Sequence, residues 1–143
     1  MYSDIFSHLV TTTDRTQFLN RLTELERIRY QDLDTPLDQK MNECFGSEAT
    51  ALATLVAKEG EGALKNLAQA ANEIPVCTIT IAFEPTRSHI QRVRDTIATL
   101  ASSSLIVDVV IDATLVGGAT LSWNGKYFDG SIATKLHEYF QTK

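Results

Sequence analysis

The order of apolar periodicities predicts a mixed fold of the α+β or α/β class. A helical bundle over residues 1–74 is followed by a small βαβββα domain with a mixed sheet over residues 75–143. Three observations carry this. Apolar residues recur at helical spacing from Tyr2 to Ala71, Pro75 marks a switch to period-two alternation, and Ile106 to Ile132 holds two alternating runs punctuated by a Gly117-Gly118 pair and an Asn124-Gly125 turn.

The helical half begins with Tyr2, Ile5, Phe6, Leu9 and Val10 on one stripe, which predicts a first helix. Thr11-Thr12-Thr13-Asp14 breaks it and starts a second, whose apolar face is Phe18, Leu19, Leu22, Leu25 and Ile28, with Arg21, Glu24 and Arg27 in solvent. Thr35-Pro36 reads as N-cap and first helical residue of a third helix through Leu37, Met41 and Cys44, ended by Gly46. Ser47 is the expected cap of the next helix, which carries Leu52, Leu55 and Val56. The Gly60-Glu61-Gly62 step interrupts it before Leu64, Leu67 and Ala71 resume the pattern.

After Pro75, Cys77, Ile79, Ile81 and Phe83 alternate with Val76, Thr78, Thr80 and Ala82, a strand with one buried face. Pro85-Thr86 opens a helix bearing Ile90, Val93, Ile97 and Leu100, with a capping box at Ser88 and Gln91 if the start is at Ser88, and Ser102 to Ser104 ends it. In the next strand Val107, Val109 and Ile111 point inward while Asp108 and Asp112 point out. A strand, helix and strand in that order make a parallel pair. Ala119, Leu121 and Trp123 repeat the alternation, with Thr120 and Ser122 facing away. Asn124-Gly125 is the pair a two-residue type I′ hairpin prefers, and Lys126 to Phe128 forms the return strand. Asp129 or Ser131 then caps a last helix with Ile132, Leu136, Tyr139 and Phe140 on one side.

A chain of 143 residues is long enough for a real core. Its net charge of −5 argues against a nucleic-acid partner, because phosphate recognition relies on clustered Lys and Arg. The acidity is uneven: residues 1–72 hold seven Lys/Arg against eleven Asp/Glu, so a basic partner fits the first half better. Cys44 and Cys77 are far apart without a Cys-x-x-Cys pattern, which indicates neither a disulfide framework nor a zinc site and suits a reducing cytoplasm. MYSDIFSHLV lacks the basic start of a signal peptide, and no apolar run approaches the about 20 residues that span a bilayer. Membrane association is expected only through partners.

Asp108, Asp112 and Asp129 with His137 form the one imaginable acid/base or metal cluster. Two acids on a strand's solvent side, a helix cap and an exposed histidine account for them more simply. His8, His89 and His137 fall on three separate predicted helices without His-x-x-x-His spacing, and Val116-Gly117-Gly118 lacks the Lys-Ser/Thr of a phosphate loop. No catalytic, metal or cofactor-binding residues are assigned and no cofactor is expected. The glycine pair reads as a bulge or positive-φ turn. Trp123 and Tyr127 are either an exposed aromatic contact or core.

Asp112, Leu115-Val116-Gly117-Gly118, Asp129-Gly130-Ser131 and Leu136 stand in an order and spacing that resembles the C-terminal signature of the delta subunit of F-type ATP synthases, the oligomycin-sensitivity-conferring protein family. In that family a strand ending in an acid leads through a Leu/Ile-x-Gly-Gly step and a hairpin to an Asp-x-Ser step and a terminal helix. The resemblance covers the second half of the chain well. Family members usually begin with about six helices over roughly a hundred residues, so the first half here is a shortened bundle.

The resemblance implies a non-catalytic stator component that ties the catalytic head to the peripheral stalk during proton-driven ATP synthesis. The implied partners are the N-termini of the head's alpha subunits for the helical half and the stalk's b subunits for the α/β half. Tyr139 and Phe140 are the candidate contact residues. The implied location is peripheral, on the cytoplasmic face of a bacterial-type cell membrane. Two other readings accompany it: an E-type peripheral-stalk subunit of a vacuolar or archaeal rotary ATPase, disfavoured by the lack of sustained heptads, and a small α/β ligand-binding or enzymatic domain.

Overall fold

The computed structural model describes residues 2–60, 62–115 and 117–129. The expected terminal helix, with Ser131, Leu136, His137, Tyr139 and Phe140, lies outside them. The chain packs as two compact units, Met1–Leu9 with Thr13–Ile74, and Val10–Thr12 with Pro75–Lys143.

The first unit is helical, with α1 (Ser3–Phe6), α2 (Thr12–Gln31), α3 (Leu37–Phe45), a 3-10 turn at Gly46–Glu48, α4 (Ala49–Glu59) and α5 (Ala63–Glu73). The first residue of α2, Thr12, belongs to the second unit. The stripe on α2 holds, with Phe18, Leu22 and Leu25 buried and Arg21, Glu24 and Arg27 exposed. Rings of Tyr2, Phe6, Phe18 and Phe45 follow one another at centroid separations of 5.7, 6.1 and 5.7 Å, the last two edge-on. Such tilted contacts place ring edges against ring faces and add specificity to apolar burial. Gly46 and Gly60 end α3 and α4 at φ 54° and 80°, the left-handed region that glycine enters without a Cβ penalty.

Several local expectations are corrected. The first helix is a single turn, because the chain leaves it at Ser7-His8, so His8 is a turn residue and not a helical one. Pro36, not Thr35, is the N-cap of α3: its ψ of 144° keeps it outside the helix while its carbonyl accepts from the Gln39 and Lys40 amides. Ser47 sits inside the 3-10 turn and caps nothing; α4 starts after Glu48 without a side-chain cap.

The second unit contains β1 (Val76–Ile81), α6 (Arg87–Ala101), β2 (Ile106–Ile111), β3 (Ala119–Trp123) and β4 (Lys126–Asp129). The strands form one mixed sheet in the order β2-β1-β3-β4, with β1 parallel to β2 and antiparallel to β3, and β3 antiparallel to β4. Cys77, Ile79, Leu105 and Val107 are its buried centre, and Ile90, Val93 and Ile97 of α6 pack on them. Thr86, not Ser88, caps α6: its Oγ1 accepts from the His89 amide at 3.3 Å. Ser102 ends the helix in the left-handed conformation.

Three residues of the sheet differ from the alternation. Ile111, predicted inward, is 53% exposed, since it closes β2 beyond the reach of the α6 apolar face. Phe83, placed on the buried face of the first strand, lies past the end of β1 and is 58% exposed. Thr120, predicted outward, is 7% exposed, flanked in the sheet by Thr80 of β1 and Asp129 of β4.

Candidate functional site

Asp112, Leu115, Gly117 and Gly118 of the expected motif lie where β1 and β2 end. Ile81 pairs with Ile111 on one side and with Ala119 on the other. The chain from β2 to β3 must therefore cross the end of β1, a span of about two strand spacings, roughly 10 Å. Residues 112–118 make that crossing.

Each position in the crossing has a physical task. The Asp112 amide donates to the Ile81 carbonyl at 2.8 Å and so closes the β1–β2 ladder. Its carboxylate then accepts from the Thr114 hydroxyl at 2.6 Å and the Thr114 amide at 2.9 Å, while its carbonyl accepts from Leu115 at 3.2 Å. This is a side-chain-built turn, the arrangement in which Asp competes with regular backbone pairing. Donation from the Thr114 side chain and then its backbone holds the Asp112 carboxyl below the usual carboxylate range. Leu115 is half-buried. Gly118 has φ 79°, a conformation that lets the backbone swing into β3, and Gly117 precedes it at φ 157°.

Beyond the crossing, Asn124 and Gly125 have φ 50° and 73°, the positive pair that a type I′ turn requires. The return strand runs one residue further than expected, so Asp129 is paired opposite Thr120 in β4. Trp123 packs on the sheet core, whereas Tyr127 is 66% exposed, which separates the two aromatics that alternation left together.

The three acids do not assemble. Asp108 is half-buried and accepts from the Thr12 hydroxyl at 3.3 Å; Asp112 builds the turn; Asp129 is in an edge strand. Among the described residues no group of three His, Cys, Asp or Glu could hold a metal ion. Burial pushes the Cys77 and Cys44 thiols up, Cys44 also through Glu24 and Glu43, so neither has the lowered pKa of a nucleophile. A groove of ≈ 420 Å³ runs along α6 past Thr86, His89 and Arg92 to Leu121, and a smaller cavity of ≈ 80 Å³ behind it is lined almost wholly by apolar side chains such as Ile81, Val93 and Val109. Among the described residues neither is lined by a carboxylate.

Two features were missed. Val10, expected on the stripe of the first helix, and Thr11-Thr12, expected as a helix break, join the edge of β2; their β-branched run was the available signal. Lys40 is 3% exposed, and its ammonium donates to the carbonyls of Ile28 and Asp32 at the C-terminal end of α2. A cation suits that end of a helix dipole. Its position four residues after Pro36 gave no hint of burial.

Residues 54–142 match the family model described as ATP synthase delta (OSCP) subunit. No curated protein matches the chain. Among solved structures, one similar chain comes from the Polytomella F-ATP synthase in primary rotary state 3. It is 21% identical with a TM-score of 0.44, and the alignment covers 49% of this chain and 90% of that one. Another comes from the Toxoplasma gondii mitochondrial ATP synthase hexamer, 16% identical with a TM-score of 0.43, covering 85% of this chain and 67% of that one. Among the described residues, no helix is long and apolar enough to cross a membrane.

Proposed function

The chain belongs to the ATP synthase delta (OSCP) subunit family, and from that membership we propose that it is a non-catalytic stator component of a rotary F-type ATP synthase, associating with other subunits of that complex. The single observation that carries this is the family match over residues 54–142, which takes in the whole Asp112 to Gly118 crossing and the hairpin. It favours the delta reading over an E-type stalk subunit or an independent small enzyme.

The task of such a part is mechanical. It holds the static head to the peripheral stalk so that torque from the central shaft changes the conformation of the head instead of spinning it. Two binding surfaces suffice. In this reading residues 1–74 act as the domain that meets the N-termini of the alpha subunits, and their excess of acidic residues suits a basic partner surface. Residues 75–143 act as the domain that meets the b subunits, with Tyr139 and Phe140 as contacts and Ser131 and Leu136 completing the motif. The site of action is the membrane face that carries the head, the cytoplasmic face in a bacterial-type cell, reached only through partners.

The test is a pull-down with the full chain as bait from solubilised native membranes, read by mass spectrometry. Recovery of head and stalk subunits is the expected result. A clean preparation that brings down no ATP synthase subunit overturns the stator reading.

A further inference from the structure

β2 ends the strand order β2-β1-β3-β4, so its outer side has no partner within the four-stranded sheet. Its sequence, IVDVVI, has one charge and no proline, the composition of an edge that invites pairing with another chain. Inside the second unit that edge is occupied. Thr11 forms a parallel bridge with Val107, the Val107 amide donates to the Val10 carbonyl at 2.8 Å, and the Thr12 hydroxyl donates to Asp108 Oδ1 at 3.3 Å.

The connectivity of this stretch is unusual. The chain enters it from Leu9 of the first unit and leaves it into Thr13 of the first unit, where α2 continues. The two units are therefore joined by three passages of the chain, after residues 9, 12 and 74, whereas a simple tandem has one.

We propose that Val10–Thr12 is a strand clip, which closes the β2 edge and makes the two units open as one cooperative body. Thr12, which donates to Asp108, is also the first residue of α2, so the clip and the helix share a residue. Unfolding of α2 thereby frees Thr12 and loosens the clip, and a released clip leaves the β2 edge bare. The purpose rests on the stator reading, since a tie that transmits torque through one linker would hinge there. The clip itself is a property of the isolated chain.

Native-state amide exchange on the full-length protein tests it. Cooperative units lose protection together as denaturant is raised, so the Val107 amide is expected to open with those of Leu22 and Leu25 in α2. Val107 opening separately from α2 overturns the proposal. Thr12→Pro removes the hydroxyl and the amide hydrogen at the first position of α2, where proline is tolerated. In this variant Val107 should exchange about tenfold faster, the scale of one or two hydrogen bonds, with Ile79 on the central strand unchanged. An unchanged Val107 rate again overturns it.

Should Thr12→Pro fail to fold, Thr12→Val keeps the amide but removes the hydroxyl that donates to Asp108, and is expected to move Val107 in the same direction by about threefold; no change sinks the clip. A clip-deficient variant that still recovers synthase subunits leaves the stator reading standing. Intact Val107 coupling in a chain that recovers none leaves the clip standing alone.

Discussion

The helical unit and the sheet unit are specified by different parts of the polypeptide. In the first, order resides in side chains. The Tyr2, Phe6, Phe18 and Phe45 rings and the fully buried Leu25, Leu52 and Leu67 fix helices whose backbones would be marginal alone. In the second, the decisive features belong to the backbone: a ladder closed by the Asp112 amide, a positive φ at Gly118 and a two-residue turn at Asn124-Gly125. The contrast teaches where each unit is vulnerable. The first should fail when volume or a buried partner is removed, the second when a dihedral angle is forbidden.

The largest expected effect tests the side-chain half. Phe18→Ala empties the middle of the ring series and should cost about 3–5 kcal/mol, read as a drop in the urea midpoint of α2 protection. A loss no greater than that of an exposed substitution would mean that the rings are not what holds this unit. Next comes Lys40→Met, which keeps the stem's packing but removes the ammonium's donation to the Ile28 and Asp32 carbonyls, of which Ile28 still accepts from the Asp32 amide at 2.9 Å. Losing the charged donor to the part-buried Asp32 carbonyl should cost about 1–3 kcal/mol, concentrated in faster exchange at the C-terminal turn of α2. An unaffected α2 end would show that water replaces the ammonium.

Smaller changes probe the backbone half. Gly118→Ala places a Cβ at φ 79° and should cost about 1–2 kcal/mol, with β3 losing protection before β1. Equal stability to the wild type would put the crossing under no conformational demand. The smallest effect is Asp112→Asn, whose signature is its pH dependence. Because Thr114 lowers the carboxyl's folded pKa, the ionised form stabilises fully above the ordinary aspartate value near ~3.9. That contribution is lost as pH falls through the lowered folded value. Wild type and variant should therefore differ at pH 7 and converge in strong acid. A difference that does not change with pH would assign the effect to geometry, not charge.

Much of the candidate site was legible. Asp112, Gly117, Gly118 and Asn124-Gly125 carry their own conformational preferences, so the turn after β2 and the hairpin could be read from residue type alone. Thr86 against Ser88 and Pro36 against Thr35 show the limit of that reading, since neighbouring residues could each serve as a cap and a small backbone rotation chose between them.

By itself the sequence determined the helical and strand halves, the switch at Pro75 and the glycine stops at Gly46 and Gly60, because these depend on interactions a few residues long. Tertiary structure alone decided that Thr120 is buried between two strands, that Lys40 caps a helix eight residues upstream, and that Val10–Thr12 pairs with Val107. Each of those outcomes needs a partner brought close by the fold. A side chain's own preferences do not contain it.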